Sequence, residues 1–261
     1  MRKFFSDIWK SRFLITTWAR YNIEANYLDS KLGALWIILQ PIVETLIYAT
    51  IFSLILVRKP RGDAPFVLFF LAGMVLWQFF SSALMRSSTL ISSKINIISQ
   101  IKFPNQTLIF VDLLEKFVDF LVGFSILIML NMFFGYFPTA AYVYVPVLLF
   151  VFFTFTAGAM FILATLGAFI QDISQITGLA LRFFLYFSGV LISSDMVPQE
   201  FASFLNLNPL FFMIESFRNV ILYSSPPDPL LLLFWLIFSI LFFFAGVSFF
   251  VKNDGLFADY Q

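Results

Sequence analysis

The chain has 261 residues, of which 61% are hydrophobic and 20% aromatic, whereas only 12% are charged and the net charge is +1. Soluble globular domains have about 45–50% apolar and about 25% charged residues, so this composition excludes a soluble globular protein and indicates an integral membrane protein. The absence of cysteine and histidine excludes disulfides, thiolate chemistry, the usual zinc sites and a serine–histidine triad.

Residues 1–33 are predicted to form an amphipathic segment in the plane of the cytoplasmic membrane interface. They include six basic residues, and Phe5, Ile8, Trp9 and Phe13 share one helical face. Basic residues opposite aromatic ones are typical of helices that lie at the level of the lipid headgroups. The alternative is a short soluble cap packed on the membrane bundle. This polar start also differs from a cleaved signal peptide, whose apolar core is about 7–15 residues long.

Six apolar segments follow, and a transmembrane helix needs about 20 such residues. No internal repeat or linker divides them, so residues 1–261 are predicted to form a single transmembrane domain. It would be an all-α integral membrane protein with a six-span bundle over 34–251 and a tail over 252–261. The predicted spans run from about Ala34 to Val57, Ala64 to Met85, Thr107 to Phe134, after Tyr142 to Ile170, Ile176 to Ser193, and Pro229 to Val251.

An even number of spans places both termini on the same side of the membrane. In that orientation the inner segments contain ten basic residues and the outer segments contain four. Inner segments of membrane proteins carry an excess of lysine and arginine, so we expect both termini to be cytoplasmic.

The segment 86–106 is a long polar passage between two apolar segments on the predicted cytoplasmic side. It contains three basic residues and no acidic residue, and its isoleucines recur every three to four positions. This spacing predicts a short amphipathic helix. Two interpretations remain open, a solvated connecting loop and a docking element for a soluble subunit. The docking residues would be Arg86, Lys94, Ile95, Ile98 and Lys102.

The chain contains no G-x-x-x-x-G-K-[ST] pattern. The sequence therefore excludes binding of ATP by a P-loop in this polypeptide. If transport is driven by ATP, a separate subunit must bind ATP and Mg²⁺ and hydrolyse the nucleotide. The chain itself is predicted to be neither an enzyme nor a cofactor-binding protein.

Polar residues recur on one face of the first predicted span. Gln40, Glu44 and Tyr48 are four residues apart and lie within about 80° of each other around a helix. An intramembrane carboxylate costs about 2.5–3.5 kcal/mol and normally faces a bundle interior or water. The three residues are therefore predicted either to line a substrate pathway or to fix the packing of neighbouring helices.

The fifth predicted span carries Arg182 and, four residues later, Tyr186. This spacing places a cation and a phenol on one helical face, and arginine binds phosphate through a planar, bidentate fork. We expect both residues in the substrate pathway; the alternative is an ion pair of Arg182 with Glu44 or Asp172.

The third predicted span begins with four ionisable residues at i,i+4 spacings. Asp112 and Lys116 are an attractive pair, whereas Glu115 and Asp119 repel each other. The group is interpreted either as a proton relay or as a solvated or partner-facing rim at the cytoplasmic entrance.

Residues 194–228 are semi-polar and rich in proline and phenylalanine. A span needs about 20 apolar residues, whereas the longest uncharged stretch here is about 14 residues and contains Pro209. The segment is therefore predicted to form re-entrant gate helices on the outer face, since such helices are tolerated where protein covers their backbone. The alternative is a seventh crossing. The gate residues would be Phe201, Phe204, Pro209, Phe211, Phe212 and Arg218.

Short phrases in a fixed order resemble the permease subunits of ABC transporters that export polysaccharide, a family that handles O-antigen, capsule and teichoic acid chains. The chain departs from the family's usual residues at Asn26, Gln171 and Gly189, where arginine, arginine and proline are common. The matching phrases are YLDSKLGALW (27–36), LQP (39–41), GMVLWQFFS (73–81), IKFP (101–104), FIQDI (169–173), Asn208-Pro209, Arg218 and FADY (257–260).

The resemblance implies a homodimer of six-helix subunits bound to two copies of a nucleotide-binding ATPase. It implies that a lipid-linked, O-antigen-like polysaccharide is moved from the cytoplasmic to the outer side of a bacterial plasma membrane. Membrane lipid is a further expected partner and nucleic acid is not. Capsule or teichoic acid export is the first alternative, followed by export of drugs or small lipids. A membrane enzyme acting on polyprenyl-linked substrates is disfavoured, because the chain lacks histidine and a D-x-x-D cluster in an inner loop.

Overall fold

The computed structural model describes residues 2–28, 64–101, 103–198 and 207–257, together with positions 35, 39, 42–43, 47, 50 and 205. Every regular element in these residues is a helix, and they contain no strand, which confirms the all-α prediction. Outside the described residues lie most of the first predicted span and the predicted site residues Gln40, Glu44, Tyr48, Lys102, Phe201 and Phe204.

The α-helices of the described chain are numbered here in chain order. They are α1 (Arg2–Lys10), α2 (Arg12–Leu28), α3 (Phe66–Ser93), α4 (Ile95–Gln100), α5 (Gln106–Phe133), α6 (Val145–Phe169), α7 (Ile173–Phe187), α8 (Pro209–Tyr223) and α9 (Pro229–Asn253). Short 3-10 helices cover Ala140–Tyr144, Ser194–Met196 and Asp254–Leu256.

Three helical segments of the described chain are long and apolar enough to cross a membrane. They are Phe66–Ser93, Ala140–Phe169 and Pro229–Leu256, and they coincide with the second, fourth and sixth predicted spans. The third predicted span coincides with α5, and the fifth coincides with α7, which has only 15 residues.

Helix α3 continues to Ser93, beyond the predicted end of the second span at Met85. The serine hydroxyls in this polar part are satisfied within the helix, because they donate to backbone carbonyls of the preceding turn. Ser87 Oγ donates to Ala83 O at 2.8 Å, and Ser88 Oγ donates to Met85 O at 2.6 Å. A loss of hydropathy therefore marks the end of the apolar segment but not the end of the helix.

Helix α6 packs between α3 and α9. Glycines allow it to approach α9 closely: a Cβ atom on Gly246 would overlap the carbonyl group of Gly158. Small residues at such crossings bring two backbones together in membrane bundles.

Hydrogen bonds between connecting segments define two ends of the molecule. At the first, Thr139 Oγ1 donates to Ser224 Oγ at 3.0 Å; we call it the 139–224 end. At the opposite end of α6 and α9, Asn105 Nδ2 donates to Asp254 Oδ1 at 2.9 Å; we call it the 105–254 end. Helices α3, α5, α6 and α9 each run from one end to the other.

The N-terminal helices pack at the 105–254 end and also expose aromatic rings. Phe4 and Ile15 are buried against the bundle, whereas the side chains of Trp9, Phe13 and Tyr21 are about 70% exposed (70%, 70% and 69%). Of the predicted face, Ile8 is half-buried against the core, whereas Trp9 and Phe13 are exposed.

Candidate functional site

Arg218 of α8 is fully buried and joins three segments at the 139–224 end. Its Nε donates to Phe69 O at 3.1 Å, and its Nη2 donates to Gly189 O at 2.8 Å and Val190 O at 3.2 Å. Its guanidinium carbon lies 3.6 Å from the centroid of the Phe69 ring. One side chain thus connects α8 to the beginning of α3 and to the turn after α7.

Glu215, one helical turn earlier on α8, balances the charge of Arg218. Its Oε2 lies 2.9 Å from Arg218 Nη1, and its Oε1 accepts hydrogen bonds from Ser194 N at 3.3 Å and Ser194 Oγ at 3.0 Å. A buried ion pair is stable only where further hydrogen bonds satisfy its atoms, and this one is extensively bonded. We call Glu215, Arg218 and Ser194 the Arg218 cluster.

The chain around the Arg218 cluster fixes where α8 begins. Asn208 Oδ1 accepts a hydrogen bond from Leu210 N at 3.0 Å, and its Nδ2 donates to Phe187 O at 2.8 Å. Pro209 follows at the first helical position, where proline costs no hydrogen bond. Asn208 therefore caps α8 and binds the end of α7 at the same time.

Gly189 has φ of +86° and exposes its carbonyl group to Arg218. Proline, which is common at this position in the resembling family, has φ fixed near about −65° and could not adopt this conformation. Glycine at position 189, in place of the family's common proline, therefore allows the backbone conformation that the Arg218 cluster requires.

The described gate residues lie on α8 and pack inside this subunit. Phe211 and Phe212 are 0% and 3% exposed, Arg218 is 0% exposed, and Pro209 begins the helix. The structure thus brings these four residues together on one element. Their assignment as a plug of the outer exit stays a prediction.

A second charged cluster lies where α2, α3 and α5 meet, and we call it the Arg86 cluster. Arg86 Nε lies 3.0 Å from Asp112 Oδ1, and its Nη2 lies 3.2 Å from Glu115 Oε2. Asn22 Nδ2 donates to Glu115 Oε1 at 2.6 Å. Both carboxylate side chains are 3% exposed, whereas that of Arg86 is 36% exposed. Arg86 therefore binds within the subunit and retains only part of its surface for a partner.

The ionisable residues of α5 pair differently from their i,i+4 spacing. Lys116 Nζ contacts Asp119 Oδ2 at 2.7 Å, one turn further along the helix, and Asp112 faces Arg86. A pair within one helix was predicted for Asp112, but the arginine of a neighbouring helix is closer to its carboxylate.

The predicted amphipathic helix of the docking segment is present as α4, and Lys94 separates it from α3. Ile95 and Ile98 are half-buried, and Ile98 packs on the core. The exposed side chains are instead Asn96, Gln100 and Ile101, and Ile101 is 59% exposed. The isoleucines that defined the pattern therefore hold α4 in place, and Ile101 is a surface residue that the pattern did not single out.

Helix α7 exposes Arg182 and Tyr186 together with apolar side chains. Leu179, Phe183 and Tyr186 are 66%, 61% and 62% exposed. No acidic side chain of the described chain forms an ion pair with Arg182, so the alternative pair with Asp172 is not formed. The structure places both predicted pathway residues on an aromatic surface that the described residues of this subunit leave uncovered.

Sequence reasoning missed several residues of these clusters. Glu215 carries a signal, because it precedes Arg218 by one helical turn in the semi-polar segment 194–228. Asn22, Ser194 and the carbonyl group of Phe69 carry none, since their roles depend on contacts between distant segments.

Comparison with known proteins identifies the family of the chain. Residues 14–222 match the model of the family described as ABC-2 type transporter. The chain belongs to this family.

Curated relatives of this ABC-2 type transporter cover most or all of its length. It is 25% identical over 255 residues to the O-antigen export system permease protein RfbA of Myxococcus xanthus, covering 97% of both chains. It is 27% identical over 201 residues to the protein of the same name from Klebsiella pneumoniae, covering 76% of each chain. It is 23% identical over 220 residues to the polysialic acid transport protein KpsM of Escherichia coli, covering 84% of each chain.

Proposed function

We propose that the chain is the transmembrane permease subunit of an ATP-driven exporter of polysaccharide. The observation that carries this proposal is its similarity to an O-antigen export permease over 97% of both chains, within the ABC-2 type transporter family. The absence of a P-loop in the sequence agrees with a subunit that forms the membrane path and leaves ATP hydrolysis to another polypeptide.

The substrate that we propose is a lipid-linked glycan of the O-antigen class. A lipid-linked glycan carries phosphate next to its sugars, and arginine binds phosphate through its planar fork. Arg182 and Tyr186 lie exposed on α7 among aromatic rings. Together with Gln40, Glu44 and Tyr48 of the first predicted span, they would line the pathway between two copies of the subunit. The similarity to a polysialic acid transport protein favours capsule export as the second candidate.

The proposed topology has six spans and cytoplasmic termini in a bacterial plasma membrane. The 105–254 end would be cytoplasmic, because its connections contain Lys10, Lys94 and Lys252 and inner segments of membrane proteins are enriched in lysine and arginine. Helix α8 has 15 residues, as α7 does, but its two ends both lie towards the 139–224 end: Asn208 binds Phe187 O, and Ser224 binds Thr139. A re-entrant outer segment is therefore favoured over a seventh crossing.

Genetic removal of the permease tests the proposed function. We expect the host to lose surface polysaccharide and to accumulate lipid-linked glycan in the cytoplasmic leaflet, and the wild-type gene to restore export. The R182A variant should be made in normal amount but should restore export poorly, because it removes the proposed phosphate ligand. Unchanged surface glycan in the deletion strain would contradict the proposed function.

The docking surface for two ATPase subunits is proposed at α4 and Ile101, together with Lys94 and Lys102. An Ile101→Asp exchange adds a charge to an exposed apolar side chain and should abolish co-purification of the ATPase. Ile170→Asp is the matched control, because Ile170 is an exposed isoleucine of another connection at the same end. Equal recovery of the ATPase with both variants would contradict this docking surface.

A further inference from the structure

An apolar crevice lies between the N-terminal helix α2 and the membrane bundle. It has a volume of about 260 Å³, and we call it the α2 crevice. Most of its lining side chains are half-buried, so it opens to the surroundings of the bundle. The lining residues are Ile15 of α2, Phe79 of α3, Phe110, Leu113, Leu114 and Phe117 of α5, and Phe153 of α6.

The α2 crevice is held open by contacts on both sides. On the floor, the ring centroids of Phe79 and Phe153 lie 4.7 Å apart, and those of Phe117 and Phe153 lie 5.3 Å apart. On the other side, Asn22 binds Glu115 and holds α2 against α5. Neither wall can collapse without breaking these contacts.

The apolar lining residues indicate which kind of group the α2 crevice binds. An apolar cavity of about 150 Å³ lined by Leu, Ile and Phe stays free of water and holds benzene. The larger α2 crevice, lined by the same residue types, accommodates a longer apolar group. For helices of a membrane protein, the apolar groups available from outside are lipid acyl chains.

A cationic group lies one helical turn from the crevice. Arg12 precedes Ile15 by three residues on α2, and such residues are neighbours at about 5–6 Å. Its guanidinium carbon lies 4.8 Å from the Trp9 ring centroid and 4.6 Å from that of Phe13. Exposed aromatic rings beside a basic residue are typical of the membrane–water interface.

We propose that the α2 crevice binds one acyl chain of a membrane phospholipid whose phosphate contacts Arg12. Arginine binds phosphate through charge-assisted hydrogen bonds, and Arg12 matches the negative charge of the headgroup. The bound lipid would fill the space beneath α2 and fix this helix against α5. This inference goes beyond the proposed function, because its ligand is a lipid of the surrounding membrane and not the exported glycan.

Photolabelling of the purified full-length protein in lipid nanodiscs tests the site. The probe is phosphatidylglycerol with a diazirine in its acyl chain, and mass spectrometry locates the label. We expect label on residues 110–117 and near Ile15. Leu114→Trp should fill the crevice and reduce this label about tenfold, because each excluded methylene loses favourable burial. Leu121→Trp is the control, since Leu121 is 43% exposed on the same helix.

Further variants keep the test decisive if Leu114→Trp does not fold. Ile15→Phe fills the crevice from the α2 side and should also reduce the label. Arg12→Gln should weaken the preference for phosphatidylglycerol over phosphatidylcholine, whereas Arg20→Gln on the same helix should not. Labelling that is equal in the crevice variants and in Leu121→Trp would overturn the proposal.

Competition distinguishes a membrane phospholipid from the lipid carrier of the glycan. Unlabelled phosphatidylglycerol should displace the probe, and a polyprenyl phosphate at the same concentration should displace it less. More effective displacement by the polyprenyl phosphate would overturn the assignment to a phospholipid. Neither result depends on export, so failure here and failure of the proposed function are separate outcomes.

Discussion

Two arginines in phenylalanine-rich segments have different environments in the structure. Arg218 lies in a segment rich in phenylalanine and is fully buried, with four protein acceptors. Arg182 lies among phenylalanines as well, and its side chain is exposed on α7. The buried guanidinium is satisfied within the subunit and therefore fixes structure. The exposed one retains its donors for a ligand, which is why we place it in the substrate pathway.

Replacement of Arg218 by glutamine should destabilise the protein strongly. The exchange leaves Glu215 as a buried charge without its counter-ion, and breaking such a pair costs about 3–5 kcal/mol. We expect a loss of that size in the free energy of unfolding, measured by denaturant titration of the purified protein in detergent. Arg182→Gln is the control and should change stability by less than about 0.5 kcal/mol. Equal stability of the two variants would show that the Arg218 cluster is not an anchor.

At the scale of elements, apolar segment length predicted α5, α6 and α9 closely, because the part of a helix that crosses a membrane is largely apolar. It predicted the start of α3 but not its polar continuation to Ser93. It did not predict that the helix of the fifth span ends at Phe187. That end depends on Gly189, whose left-handed conformation directs a carbonyl group towards a residue far along the chain. The inward direction of Arg86 was equally hidden, since its partners Asp112 and Glu115 lie on another helix, α5. A pattern within one segment cannot reveal such contacts.

The crossing of α6 and α9 depends on glycine at both contact positions. A Gly246→Ala exchange places a methyl group where the carbonyl group of Gly158 lies, so the helices must separate. Overpacking of this kind costs about 1–3 kcal/mol. Thermal unfolding in detergent should show a lower midpoint for this variant.

Gly178→Ala is the matched control for the helix crossing. Its added Cβ would lie 3.7 Å from the side chain of Met85, an ordinary contact distance, and alanine is the better helix former. We expect its unfolding midpoint to be unchanged or higher. A Gly246→Ala protein as stable as Gly178→Ala would mean that α6 and α9 tolerate a wider separation.

At the scale of the whole molecule, the two ends differ in charge. The described connections at the 139–224 end contain the exposed acidic residues Asp195 and Asp228, whereas those at the 105–254 end contain Lys10, Lys94 and Lys252 besides Asp172 and Asp254. This difference favours a cytoplasmic 105–254 end, since lysine and arginine are retained on the inner side of the membrane. The same arrangement places α4, Ile101 and the N-terminal helices next to one another, where a cytoplasmic ATPase and the inner leaflet would meet them.

Single cysteines test this orientation, because the natural chain contains none. The variants Phe137→Cys and Ser224→Cys probe the 139–224 end, and Gln100→Cys and Lys252→Cys probe the opposite end; all four positions are exposed. A membrane-impermeant maleimide should label the first two in intact spheroplasts. It should label the other two only after permeabilisation, since α9 separates Ser224 from Lys252. Labelling of Phe137 and Ser224 from opposite sides would make α8 a crossing helix. It would also contradict the hydrogen bond between Thr139 and Ser224 that places both positions at one end.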